Sequence, residues 1–150
     1  MEPIVKVKKL HPDARLPLRA TPGAAAADLY AVCGPEGILL PARGGRAIVP
    51  TGIAIELPGP EWVALLFARS GLAVKKGITL SNAVGVIDSD YRGEVGVGLV
   101  NLSDSDYTVT CGERIAQLAV MPVAPASFAE AAALEDSDRG EGGFGSTGTR

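Results

Sequence analysis

The stretch Asn82-Ala-Val-Gly-Val-Ile-Asp88-Ser-Asp-Tyr91-Arg-Gly93-Glu-Val-Gly-Val97 says most about how this chain folds. Apolar runs on either side of residues 88–93 predict a strand, a turn and a second strand, and therefore a β-hairpin. Asp88 ends an apolar run, where a carboxylate is costly unless it has a partner. Gly85 and Gly96 give up packing within the predicted strands, which suits a close approach by a ligand or by another backbone. Taken alone, the stretch is still compatible with an ordinary surface hairpin.

Short apolar runs between turn residues continue through the rest of the chain. Its 150 residues include 19 Gly and 11 Pro. About ten strand-sized runs lie between them, beginning at Val5–Val7 and ending at Ile115–Val120,. This spacing predicts an all-β fold, either a jelly-roll-like barrel or a sandwich. Helix is expected to be scarce, because the helix-like segments at 24–27 and 129–135 are too short to be stable alone.

The composition predicts one β domain over residues 1–134 and a flexible lid segment over residues 135–150. The final stretch is charged and Gly-rich, and Phe144 stands out among its polar residues. Such a composition is typical of a mobile tail. The aromatic residue is either incidental or a cap that closes over a ligand.

Charge and cysteine content exclude several function classes. The net charge of −3 argues against nonspecific electrostatic binding of DNA or RNA, but it allows a local binding site for one small anion. No signal sequence and no apolar run of membrane-spanning length is visible, so a cytoplasmic protein with no membrane partner is expected. Cys33 and Cys111 lie outside any C-x-x-C motif and are expected to be reduced packing thiols. His11 is expected on the surface, which disfavours catalysis by a histidine base.

Two further segments could bind phosphate. Arg69, Ser70 and Gly71 directly follow an apolar strand, where backbone N–H groups and a guanidinium can face an anion; a plain turn is the alternative. The tail offers Arg139, two hydroxyls at Ser146 and Thr147, and unhindered N–H groups. It lacks the Gly-Lys-Ser/Thr of a P-loop.

One acid and one amide complete the set. Asp28 ends the apolar stretch that begins at Gly23, and Gln117 lies inside an apolar strand. A buried Gln must be hydrogen-bonded, and a purely structural cross-strand bond would also explain it. Ser89 and Asp90 are interpreted as turn residues.

These five segments, in this order, resemble the five motifs of the trimeric deoxyuridine triphosphatase (dUTPase) family. The resemblance runs from about Pro17 to Thr149, and it departs from the family pattern at Ala26, where the family usually has Gly. It implies a jelly-roll-like subunit in a homotrimer with active sites at the subunit boundaries. It also implies Mg²⁺-dependent hydrolysis of dUTP to dUMP and pyrophosphate, which limits uracil incorporation into DNA and supplies dUMP for thymidylate synthesis.

The resemblance also implies a role for each residue that matches a motif. Asp88 would hold and activate the attacking water, and Tyr91 would stack on the deoxyribose. Asp28 would help to place Mg²⁺ through water, while the triphosphate itself would hold most of the metal. The implied uracil pocket runs along Asn82, Gly85, Val86, Ile87 and Tyr91. The implied triphosphate clamp consists of Arg69, Ser70, Gly71 and Gln117, and the implied lid of Arg139, Phe144, Gly145, Ser146 and Thr147.

Two alternatives remain open. A dCTP deaminase, or a bifunctional relative that also releases pyrophosphate, shares the fold; those chains are typically longer, and the predicted hairpin contains no deaminase-like Glu. A β-sandwich binding module without catalysis would also explain the hairpin. The combination of a candidate base, a phosphate clamp and a basic-aromatic tail favours an enzyme.

Overall fold

A computed structural model describes residues 3–143, which form ten strands and one helix in that range. In chain order the elements are β1 (Lys6–Lys9), β2 (Ala27–Tyr30), β3 (Ile38–Leu40), β4 (Arg46–Glu56), β5 (Trp62–Ala68), α1 (Ser70–Lys76), β6 (Ile78–Leu80), β7 (Gly85–Ile87), β8 (Glu94–Asn101), β9 (Tyr107–Val109) and β10 (Arg114–Pro122). Every strand pairing is antiparallel. The predicted all-β class is confirmed.

The strands form two four-stranded sheets and one two-stranded ribbon. The first sheet has the order β1-β4-β8-β6, the second has the order β2-β10-β5-β7, and the ribbon pairs β3 with β9. Neighbours in the sheets are mostly distant in the sequence, as expected for a sandwich with crossing connections. The sheet order puts β6 and β7 at sheet edges, and this placement later defines the site.

Alternating side chains of the two sheets fill the core. In β8, Val95, Val97 and Leu99 are at most 2% exposed, whereas Gly96 between them is exposed. This alternation is the period of two expected of a strand with one buried face. Each fully buried Val or Leu side chain contributes roughly 1.5–3 kcal/mol relative to exposure.

A bulge in β4 fixes the start of β8. The β4–β8 register shifts between Pro50 and Ala54, and Gly52 there has a left-handed φ of 67°. Glycine adopts this conformation without strain. The Gly52 N–H donates to a Glu94 carboxylate oxygen at 2.8 Å, and the Thr51 hydroxyl donates to the Val95 carbonyl at 2.5 Å. Glu94 is therefore held where the chain enters β8.

The prediction that the two strands flanking residues 88–93 pair with each other as a hairpin is wrong. β7 pairs with β5 in one sheet, whereas β8 pairs with β4 and β6 in the other. The chain thus crosses from one sheet to the other at residues 88–93. Both apolar runs do form strands, but local sequence does not reveal which partner each strand selects.

Helix is scarce, as predicted, but the position of the short helix was not foreseen. Residues 70–76 form α1, where only a turn was expected, and residues 129–135 are not helical. Gly77 ends α1 in the left-handed region and donates its N–H to the Ala73 carbonyl at 3.1 Å, a common way for a helix to stop. Leu72 packs into the core and anchors this single short helix.

The chain beyond β10 packs little against the sandwich. Residues 124–141 are exposed throughout, and the Phe128 and Leu134 side chains are 98% and 90% exposed. Among residues 3–143, no helix is long and apolar enough to cross a membrane.

Candidate active site

A pocket of about 230 Å³ opens where the two sheets meet at β7 and β8. It is lined by Leu66, Leu80, Asn82, Gly85, Val86, Ile87, Asp88, Tyr91, Glu94, Val95, Gly96 and Gly98. Six of these residues, Asn82, Gly85, Val86, Ile87, Asp88 and Tyr91, are candidates from the sequence. The structure therefore brings every candidate residue of the central stretch to one concave surface.

The pocket lies between two strand edges. Among the strands of residues 3–143, β7 pairs only with β5 and β6 pairs only with β8, so each leaves one edge without a ladder partner in its sheet. Such an edge presents a row of free backbone N–H and C=O groups. A planar ligand with alternating donors and acceptors can pair with groups of this kind.

Residues 88–91 form a tight turn at the rim of the pocket. The Tyr91 N–H donates to the Asp88 carbonyl at 3.1 Å, and the Tyr91 hydroxyl donates to the Glu94 carbonyl at 3.0 Å. A Cβ at Gly93 would collide with the Tyr91 ring and hydroxyl. Glycine at 93 is thus required for Tyr91 to keep its place.

Asp88 lies at the end of β7, just after the buried Ile87. Asp88 is exposed, and its carboxylate takes part in no hydrogen bond with another group of residues 3–143. A carboxylate at the rim of a pocket, with its lone pairs free, can accept a proton from water. We expected Asp88 to need a hydrogen-bonding partner, because burying a carboxylate is costly. No such partner is needed, because the carboxylate is exposed to solvent.

The strand glycines Gly85 and Gly96 line the pocket and also lie close to neighbouring side chains. A Cβ at Gly85 would lie 3.0 Å from the Leu66 Cβ, and one at Gly96 would lie 2.8 Å from the Ile48 Cγ2. A side chain added at either position would therefore press on a neighbouring side chain of the same chain. Both glycines also line the pocket, and a close approach by a ligand there stays a prediction.

A second polar cluster surrounds Asp28. Its carboxylate is 6% exposed and lies 3.1 Å from the Arg69 Nε and 3.2 Å from an Arg114 terminal nitrogen. The Gln117 amide donates to the same carboxylate at 3.4 Å. Asp28 thus holds three donors, and two guanidiniums make the surroundings locally positive on an acidic protein.

Strand order explains how this cluster forms. β10 pairs with β2 on one side and with β5 on the other, which places Gln117 beside Asp28 and next to the end of β5. Arg69 directly follows β5, and it also donates to the Arg114 carbonyl at 3.2 Å. Ser70 and Gly71 are exposed at the start of α1, and apart from the neighbouring helix backbone no atom of residues 3–143 lies within 4 Å of a Cβ built at Gly71.

Arg114 was missed by the sequence analysis. Residues 114 and 117 are an odd number of positions apart, so a regular strand would send their side chains to opposite faces. The β2–β10 register shifts between Arg114 and Ala116, and this bulge turns both side chains toward Asp28. Bulges commonly re-aim a side chain in this way.

The two clusters are separate within one chain. Asp28, Arg69, Ser70, Gly71 and Gln117 do not line the pocket beside Asp88. Arg139 is exposed and donates to the Gly142 carbonyl at 2.7 Å within its own turn. The remaining lid candidates, Phe144, Gly145, Ser146 and Thr147, lie outside the described residues.

Comparison with known proteins identifies the family. The dUTPase family model matches residues 12–148. A deoxyuridine 5′-triphosphate nucleotidohydrolase from Syntrophotalea carbinolica is 47% identical over 144 residues, covering 96% of each chain. One from Roseobacter denitrificans is 52% identical over 133 residues, covering 89% of this chain and 86% of the relative.

Solved structures agree in fold. The Staphylococcus bacteriophage 80alpha dUTPase, solved with dUpNHpp, superposes with a TM-score of 0.85 at 28% identity, covering 97% of this chain and 98% of that one. A dUTPase of phage phi11 of S. aureus, described as coordinating a structural Mg(II) ion, superposes with a TM-score of 0.77 at 24% identity over 89% of this chain and 99% of that one. A family match over nearly the whole length, joined to relatives about half identical, shows that this chain belongs to the dUTPase family and is a dUTP-hydrolysing enzyme.

Proposed function

We propose that this chain converts dUTP to dUMP and pyrophosphate by water attack on the α-phosphorus, with Asp88 as the base. The observation that carries the proposal is the exposed Asp88 carboxylate at the rim of a pocket bordered by free strand edges. In the reaction, the water oxygen bonds to the α-phosphorus and its proton passes to Asp88. The bond from the α-phosphorus to the bridging oxygen breaks, and pyrophosphate leaves.

The nucleobase would be recognised mainly by backbone groups of the protein. The free edge of β7 offers N–H and C=O groups that suit the donor and acceptor pattern of uracil. Cytosine has donor and acceptor exchanged, so its binding would leave buried polar groups unpaired. A thymine methyl would need room in a pocket of only about 230 Å³.

Tyr91 would select the sugar. Its hydroxyl is tied to the Glu94 carbonyl, which limits the freedom of the ring at the rim of the pocket. A ring held in this way can stack on deoxyribose and leave no space for a 2′-hydroxyl. Ribonucleotides would thereby be excluded by shape.

The Asp28 cluster would bind the phosphates. Arg69 presents its guanidinium beside the exposed Ser70 and Gly71, and Gln117 lies on the neighbouring strand. These are suitable donors for phosphate oxygens. Positioning and charge neutralisation are the main demands of phosphoryl transfer.

The residues present fit a magnesium ion that is bound chiefly by the substrate. Asp28 already accepts hydrogen bonds from three side chains, so it is better suited to a water of hydrated Mg²⁺ than to direct chelation. Mg²⁺ commonly keeps several waters and combines one or two carboxylates with substrate phosphates. When bound, Mg²⁺ would neutralise charge on the triphosphate and on departing pyrophosphate.

A homotrimer would complete the site by joining the pocket of one subunit to the Asp28 cluster of a neighbour. One observation supports this: the two clusters are separate in one chain. In the same assembly, residues 135–150 would act as a lid, with Arg139 and Phe144–Thr147 over the bound nucleotide.

The cellular consequence would be a lower dUTP level, which limits uracil incorporation into DNA, together with a supply of dUMP for thymidylate synthesis. The deciding assay is pyrophosphate and ammonia release with Mg²⁺ from dUTP, dCTP, dTTP and UTP separately. We expect pyrophosphate from dUTP and little from the other three. Ammonia from dCTP would instead indicate a deaminase, and no release from any nucleotide would indicate a binding module.

Mixed trimers test whether the site is shared. Asp88→Asn and Arg69→Ala chains are each expected to be nearly inactive. If the two are unfolded and refolded together in equal amounts, about a quarter of the shared sites would combine an intact Asp88 with an intact Arg69 from the neighbouring chain. Recovery of about that share of activity is expected, and no recovery would place the whole site within one subunit.

A further inference from the structure

The fold brings the two cysteines of the sequence together. Cys33 follows β2, and Cys111 lies in the turn between β9 and β10. The segments run side by side because the Ala31 N–H donates to the Glu113 carbonyl and the Gly112 N–H donates to the Ala31 carbonyl, both at 2.8 Å. The Cys33 thiol lies 3.9 Å from the carbonyl of Val109, two residues before Cys111.

The two thiols differ in their surroundings. Cys111 is exposed and Cys33 is half-buried, and both are free thiols. Burial raises the pKa of Cys33, and the charge of the nearby Cys111 thiol group raises it further. An exposed thiol beside a second thiol is the arrangement in which an oxidised sulfur can be captured within the same chain.

We propose that Cys33 and Cys111 are a reversible oxidation site at which hydrogen peroxide forms an intramolecular disulfide. The exposed Cys111 thiolate attacks one peroxide oxygen, the O–O bond breaks, and the products are a sulfenic acid and water. The Cys33 sulfur then attacks the Cys111 sulfur, the S–O bond breaks, and a second water leaves. Two thiols are thus oxidised by two electrons while one peroxide is reduced to two waters.

The disulfide would tie the end of β2 to the turn that begins β10. The same two strands carry Asp28 and Gln117, which pair directly across the ladder. The bond would close a loop of about 80 residues, and long loops give the larger stabilisation in the chain-entropy description. Neither cysteine lines the pocket beside Asp88, so we expect the reduced protein to hydrolyse dUTP without the bond.

The test is oxidation of the folded wild-type protein with one equivalent of hydrogen peroxide. We expect both thiols to disappear together in a thiol titration, with a mass loss of about 2 Da and a peptide linking Cys33 to Cys111. Non-reducing electrophoresis should show a monomer, and dithiothreitol should restore both thiols. The melting temperature should rise by several degrees on oxidation.

Single variants separate the two steps. In Cys33→Ser, Cys111 should accumulate as a sulfenic acid that a dimedone probe traps, and in Cys111→Ser the Cys33 thiol should remain reduced. Both reduced variants should hydrolyse dUTP as the wild type does, so the outcome does not depend on the proposed mechanism of hydrolysis. Wild-type thiols that survive peroxide, a disulfide between subunits, or Cys111 oxidised alone to the sulfinic acid would overturn the proposal.

Discussion

At the scale of single residues, Asp88 and Asp90 offer a matched comparison. Both are exposed carboxylates in the same turn, two positions apart, but only Asp88 lines the pocket. Asp88→Asn removes the proposed base and keeps the shape of the side chain. We expect kcat to fall by about 10²–10⁴-fold, the usual contribution of a general base, with nearly unchanged affinity for a non-hydrolysable analogue.

Asp90→Asn makes the same chemical change without touching the pocket. Its kcat should stay within about two-fold of the wild type, since a solvated turn carboxylate has no part in proton transfer. Steady-state pyrophosphate release measured on both variants separates the two positions. Equal losses would mean that overall turn charge matters and that Asp88 has no special role.

Replacing Asp28 is expected to change both the stability of the fold and the affinity for a nucleotide analogue. Asp28→Asn removes the charge between Arg69 and Arg114 and leaves two guanidiniums facing each other. Because those partners are 25% and 50% exposed, water softens the loss to about 1–2 kcal/mol of unfolding free energy, below the range for a fully buried pair. Analogue affinity should also fall in the absence of Mg²⁺, because Arg69 is no longer held in place.

The exposed pair of Arg43 and Asp104 is the control for that variant. Its side chains are 79% and 86% exposed, and such pairs contribute little to stability. Asp104→Asn should therefore leave both the urea midpoint and the analogue affinity unchanged within error. If Asp28→Asn weakens the analogue only when Mg²⁺ is present, Asp28 acts through the metal and does not position Arg69.

Between neighbouring elements, one contact links β9 to the turn before β10. The Tyr107 hydroxyl donates to the Glu113 carboxylate. Burial, followed by the hydrogen bond and charge of Glu113, raises the pKa of Tyr107 to about 12. The unfolded chain ionises this phenol near its ordinary pKa of about 10, so the folded state retains the proton over the interval between the two values.

Stability should therefore fall as the pH rises from about 10 to about 12, since the unfolded state binds fewer protons in that window. Below pH 10, both states are protonated and the contribution is fully present. Tyr107→Phe removes the titrating group, so its urea midpoint should lose less over this interval than that of the wild type. Parallel slopes for the two proteins would show that Tyr107 is not responsible.

Local sequence predicted the elements better than their partners. The run Ile115–Val120, for example, lies within β10 because alternation and turn residues are encoded locally. The pairing of β7 with β5 was not predictable, since it depends on long-range packing of Leu66 against Gly85. The bulge before Ala116 was not predictable for the same reason, and Arg114 was therefore missed. A register shift of one residue moves every side chain beyond it to the opposite face of the sheet.

At the scale of the whole molecule, deletion of the C-terminal tail is expected to have the largest effect on turnover. Removing residues 139–150 should cut turnover severely while leaving the β domain folded, because its core consists of residues 14–118. Closing a lid excludes bulk water and strengthens polar contacts with the nucleotide. Pyrophosphate release together with a urea melt measures both properties.

A shorter truncation serves as the control for the lid. Removing only Arg150 should preserve activity, because it lies beyond every tail residue with a proposed contact. Full activity of the 139–150 deletion would rule out the lid. A shifted urea midpoint would mean instead that the tail supports the fold.

The unpaired edge of β7 has an evolutionary consequence. If the nucleobase is recognised by main-chain atoms, exchanging side chains along β7 leaves the recognition pattern intact, since every amino acid except proline supplies the same amide. A change of preferred base would then require an insertion, a deletion or a proline that alters the strand path. Substitution of the exposed Val86 should therefore be tolerated far more readily than a change in the length of the strand.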